Sequence, residues 1–119
     1  MAYEESLKRI SLPVAADDSL AQYKFVAVNS DGLAAVTGDG DEADGVLQDN
    51  PNATGFAGEV AIAGVSKVVV GSAGVTAGSL VTSDSTGAAV DAGTGDSVNG
   101  RALETGVEDQ VVSILLKLN

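Results

Sequence analysis

Cysteine, histidine and tryptophan are missing from this 119-residue chain, and aromatic residues make up only 3% of it. Without Cys there is no disulfide framework, no thiol nucleophile and no Cys-based zinc or iron–sulfur site. Without His the commonest general base and the commonest transition-metal ligand are both gone. Basic residues are also scarce: 6 Lys and Arg stand against 17 Asp and Glu, a formal net charge of −11. So acidic a chain is poorly suited to neutralising phosphates, which argues against nucleic acid and against an anionic membrane surface. No apolar run approaches the roughly 18 residues that would span a bilayer as a helix. The expected partners therefore include neither nucleic acid nor membrane.

What is abundant is small and apolar. Val, Leu, Ile and Phe number 17, 10, 3 and 2, above the roughly 20% level below which chains tend to stay disordered. One domain of this length can bury about two thirds of its extended surface. Its core would rest on Val and Ala, which each remove little area from water at about 25 cal/mol per Å². A thin core of that kind favours assembly with a partner.

Period-2 segments dominate the chain. Tyr23–Val28 and Leu33–Val36 flank Asn29-Ser30-Asp31-Gly32, a hairpin signal. Gly45–Gln48 reads as a short strand. Gly58–Ala63 and Val65–Val70 read as a second apolar pair separated by Gly64. Ser79–Thr82 and Ala88–Val90 flank a turn at Ser83–Gly87, and Asn99-Gly100 opens a strand over Arg101–Glu104. Gln110–Leu118 is the longest apolar strand and is expected to lie centrally. Only Ala15–Ala21, with Asp17 or Asp18 as N-cap, offers a helical turn. Strands every 8–12 residues with turn signals between them predict an all-β barrel or sandwich.

The first 14 residues differ from the rest. They hold Lys8 and Arg9 together with Tyr3, Leu7, Ile10, Leu12 and Val14. Pro13 disfavours helix at Leu12, so the second half should be extended. The expectation is an N-terminal arm over 1–14 that docks on a partner through these five apolar side chains, followed by a single β domain over 15–119.

Candidate chemistry is sparse. Asp39, Asp41 and Asp44 sit in an acidic loop that superficially resembles a calcium loop, but Ala43 and Asp44 stand where a ligand and the turn Gly belong. A solvated loop with no metal is the reading preferred. The carboxylate pairs Glu4/Glu5, Asp17/Asp18 and Glu108/Asp109 are adjacent, so extended backbone points them to opposite faces. No catalytic residue and no cofactor is predicted. Lys67 lies inside an apolar run and reads as an edge-strand or outward-facing residue.

Taken in order, AYEESLKRISLPVAAD, QYKFVAVNSDGLAAV, ADGVLQDNP, EVAIAGVSKVVVGSAGVTAGSLVTSDSTGAAV and VNGRALETGVEDQVVSILL closely resemble the small cement, or head decoration, proteins of tailed-phage capsids. The most specific stretches are Gly45–Gln48, Gly64–Gly71, and Gly100–Glu104 with the terminal strand. The resemblance implies a non-enzymatic, β-tulip-type domain on the outer capsid surface of the virion. There it would bind the major capsid protein as a homotrimer and stabilise contacts between capsid subunits. An alternative is a calcium- or glycan-binding β module on a virion or bacterial surface, with its site at Asp39, Asp41 and Asp44.

Overall fold

A computed structural model describes residues 5–15, 21–51 and 53–117, with side chains from residue 8 onward. Tyr3 and the expected helical turn over 15–21, apart from its end residues, lie outside the described residues. Among the described residues, nine strands form one antiparallel sheet: β1 (Glu5–Pro13), β2 (Phe25–Val28), β3 (Ala34–Val36), β4 (Gly45–Leu47), β5 (Ala57–Val69), β6 (Leu80–Ser83), β7 (Ala89–Asp91), β8 (Gly100–Ala102) and β9 (Val111–Leu116). The order is β3-β2-β4-β5-β9-β8-β6-β7, with β1 added to β5. The radius of gyration is 12.6 Å, close to the value of about 13.5 Å expected for one compact domain of this length.

The expected all-β class is what forms, and the hairpins β2–β3 and β6–β7 arise where turn residues separate the alternating segments. In the first, Asn29 Oδ1 accepts from Asp31 N and Leu33 N, at 2.9 and 3.1 Å, closing the turn with its own side chain. In the second, Asp84 Oδ1 accepts from Thr86 N at 2.8 Å and Ala88 N at 3.1 Å. The terminal strand β9 is central as expected, between β5 and β8, but it is not the longest: it has 6 residues and β5 has 13.

One expectation is corrected. The segments on either side of Gly64 are not two strands but the single 13-residue β5. Gly64 has φ +96°, a left-handed conformation that bends the strand without a Cβ penalty. The bend lets one strand serve two curls. Residues 57–65 pair with β1, Val60 and Ala61 also pair with β4, and Val65–Val69 pair with β9.

The sheet therefore curls twice around β5. In the first curl, β3, β2, β4, β5 and β1 come round until Val14 bridges Ala34, and Ala15 N donates to Ala34 O at 2.9 Å. In the second, β5, β9, β8, β6 and β7 come round until Val70 bridges Ala89. Phe25 N donates to Gly87 O at 2.8 Å, tying the two curls together. Gly87 has φ +80°, and a Cβ there would lie 2.9 Å from Phe25 O.

Two apolar clusters fill these curls. Val14, Val26, Ala34, Leu47 and Val60 form the smaller one; Phe25, Val46, Ala61, Val68, Val81 and Ile114 belong to the larger. Neighbours in sequence, such as Phe25 and Val26 or Val46 and Leu47, fall in different clusters because successive strand side chains point to opposite faces. β4, with Phe25 and Val26 of β2 and Val60 and Ala61 of β5, is thus buried on both faces, which explains why GVL in β4 reads as an unbroken apolar run.

Candidate interaction surface

The N-terminal segment expected to be an arm that docks on a partner supplies β1, which pairs along β5 from Glu5↔Val65 to Pro13↔Ala57. Leu7 lies in that strand, but its side chain is outside the description. Ile10 is 37% exposed and faces outward enough to meet a partner. Leu12 is half-buried against the smaller cluster. Val14 is a correction: it has no exposed surface and belongs to that cluster, so it cannot anchor another molecule from this position. Its backbone is held too, with its N–H on Phe56 O at 3.0 Å and its carbonyl accepting from Gly55 N at 2.8 Å. Register shifts around Lys8, together with Pro13, interrupt β1 as an outer strand. Such features protect an edge from pairing with further chains.

The acidic loop is pinned to the body by its backbone. Asn99, fully buried, accepts from Ala43 N through Oδ1 and donates to Asp41 O through Nδ2, both at 3.0 Å. Gly40 N donates to Ser83 O at 2.8 Å. The side chains of Asp39, Asp41 and Asp44 stay exposed. Asp44 Oδ2 accepts from Val28 N at 2.8 Å, a role in ending β2 that the sequence pattern did not reveal. Among the described residues no group of three or more acidic side chains is arranged to hold a metal ion.

A shallow cavity of about 300 Å³ is lined in part by Lys24, Asp39, Gly71, Asp84, Thr86 and Asp109. Its best-placed carboxylate is already engaged: Asp84 Oδ1 also accepts from Thr86 Oγ1 at 2.7 Å. These bonds shape the β6–β7 turn and give the cavity a structural explanation.

The most distinctive surface is the outer face of the second curl. Leu80 pairs with Arg101, Arg101 with Leu115, and Leu115 with Val65. Directly opposed residues share a face, so these four form a row across β6, β8, β9 and β5. Leu80 is 39% exposed and Leu115 36%. Alongside the row, Val111 pairs with Val69, and Leu103 N donates to Ser113 O at 3.0 Å, so Leu103 extends the same surface. On the opposite face Val81, Ala102, Ile114 and Val68 enter the core.

Basic side chains stand on this face, and one carboxylate borders it: Glu104 Oε1 accepts from Ser113 N at 3.0 Å. Arg101 Nη1 donates to Gly78 O at 2.7 Å, fixing the guanidinium beside the row. Lys67 Nζ stands 5.7 Å from the centre of the Tyr23 ring, within cation–π range. Of the two readings of Lys67, the outward-facing one agrees with its position, and the edge-strand one does not, since β5 lies inside the sheet. The row itself was not singled out from sequence. The apolar stretch Val111–Leu116 was the available signal, but only the strand register brings Leu80, Arg101 and Leu115 together.

No protein-family model matches this chain, and no curated protein does. Among solved structures, it is similar to the crystal structure of the head fiber gp8.5 N base in bacteriophage phi29, with a TM-score of 0.74 at 21% sequence identity. The match covers 92% of this chain and 95% of that one, so the likeness extends over nearly the whole of both. The double-curled β sheet described above is accordingly a fold found in a phage head protein.

Proposed function

We propose that this chain is a structural protein of a tailed-phage head, a decoration or cement protein bound to the outer surface of the assembled shell. The observation that carries this reading is the fold shared with the phi29 head fiber base over almost the whole of both chains. The sequence resemblance to head decoration proteins points the same way and was drawn from different information. A Val- and Ala-rich domain without His or Cys suits such a role, which needs surface and rigidity rather than chemistry. In this reading the chain is not an enzyme. It binds the major capsid protein, stabilises contacts between capsid subunits, and sits on the capsid as a homotrimer.

Attachment to several shell subunits at once gains avidity from high effective concentration. Binding to the shell also stabilises a thin-cored domain by linkage. Within this proposal Ile10 on β1 remains an apolar contact to the shell or to a neighbouring copy, whereas Leu12 and Val14 act inside the domain. The test is co-sedimentation of purified protein with undecorated heads, followed by reconstruction of the decorated particle and heating of both kinds of head. Bound protein in groups of three and heads that survive higher temperatures are expected. Absence from the pelleted heads would sink the proposal, and isolated single copies would remove the trimer.

A further inference from the structure

We infer that the outer face of β5, β6, β8 and β9 is the surface by which the domain docks on the shell, and that its partner there is a protein surface with an apolar centre and an acidic rim. This deepens the reading above and rests on it. The first observation is the row Leu80, Arg101, Leu115 and Val65, extended by Leu103 and Val111, which gathers exposed apolar side chains on one outer face with Arg101 between Leu80 and Leu115. Exposed apolar side chains gathered on one face mark an interaction site.

The second observation is the segregation of charge. β6, β8, β9 and residues 65–69 of β5 contain none of the 17 acidic residues of the chain. Lys67 and Arg101 lie within them and Lys117 directly follows β9, so half of the six basic residues sit on or beside this face. In a chain of net charge −11, the face presents three cations on or beside it and borders on carboxylates only at its margins, at Glu104 on Ser113 N and at Glu5 opposite Val65 in register. Such a surface complements carboxylates on a partner and repels other cationic surfaces, which sets orientation as well as contact. Arg101 is held in place by Gly78 O, so little side-chain freedom remains to be lost on docking.

The experiment compares occupancy on undecorated heads at limiting protein. One variant carries Leu80→Glu with Leu115→Glu, and a second carries Lys67→Glu with Arg101→Glu. A milder pair, Leu80→Ser with Leu115→Ser, guards against misfolding. The control is Val28→Glu with Phe56→Glu, at exposed apolar positions outside the row. Circular dichroism melts verify folding, and light scattering follows self-association. The face variants are expected to bind at least tenfold more weakly while the control stays within twofold of the parent. Parent binding should also weaken between about 50 and 500 mM salt, as the cations are screened. Face variants that bind like a binding parent would overturn the docking face and leave the proposed function standing. A parent that fails to bind would overturn both. Changed self-association with unchanged head occupancy would assign the face to a second copy of the chain and refute the inference.

Discussion

Replacing Val14 by Ala removes two methyl groups from a position with no exposed surface, where β1 closes the first curl. The Val14 side chain lies over Gly58, so that a Cβ on Gly58 would come within 2.8 Å of Val14 Cγ1 and 2.9 Å of Leu47 Cδ1. At about 0.8 kcal/mol per buried methyl-sized group, the transfer loss is about 1.6 kcal/mol. Incomplete collapse of the space left behind brings the cost to about 2–3 kcal/mol. For a domain of this length each kcal/mol is worth roughly 4 °C, so the midpoint should fall by about 10 °C. Ile10→Ala, at a position already 37% exposed, should lower it by much less. Deleting residues 1–14 should be more damaging than either, because it removes the strand along β5 and uncovers the smaller cluster. Thermal melts followed by far-ultraviolet circular dichroism, with urea unfolding as a second measure, make the comparison. A deletion that melts at the parent temperature, with Val14→Ala within about 2 °C of the parent, would refute the reasoning and restore the picture of a detachable arm.

Three further outcomes are expected. Asn99→Ala should cost about 2 kcal/mol or more, since it leaves Ala43 N and Asp41 O without their buried partner; faster amide exchange at Ala43 is the sign to look for. Replacing Asp39, Asp41 and Asp44 together by Asn should move stability by only about 0.5 kcal/mol, with the same melting curve in calcium and in chelator; a calcium-dependent rise in the parent alone would revive the calcium-binding alternative. Gly87→Ala should destabilise by about 1–3 kcal/mol, because Ala must adopt a φ of +80° with its Cβ 2.9 Å from Phe25 O; an unchanged urea midpoint would show that the tie between the curls is not tight.

Local information was enough for much of the fold. Alternating apolar residues with Asn-Ser-Asp-Gly and Ser-Asp-Ser-Thr-Gly turns specify the two hairpins, because strand periodicity and turn chemistry act over a few residues. The strongly apolar stretch Val111–Leu116, broken only by Ser113, likewise marked a central strand. The chain's lack of Cys and His already excluded whole classes of chemistry. What lay beyond local reading were the contacts made across long stretches of chain. A Gly between two apolar runs is equally compatible with a turn and with a bend, and only the pairing of β1, β4 and β9 along β5 made Gly64 a bend. The composition of 1–14 matched an arm that seeks an apolar partner, yet the surface Val14 found was the chain's own cluster of Val26, Ala34, Leu47 and Val60. The candidate docking face belongs to the same category: Leu80, Arg101, Leu115 and Val65 are far apart in sequence and become neighbours through strand register alone. Hydrophobic burial is non-directional, so sequence pattern tells which side chains must be covered, and tertiary structure decides what covers them.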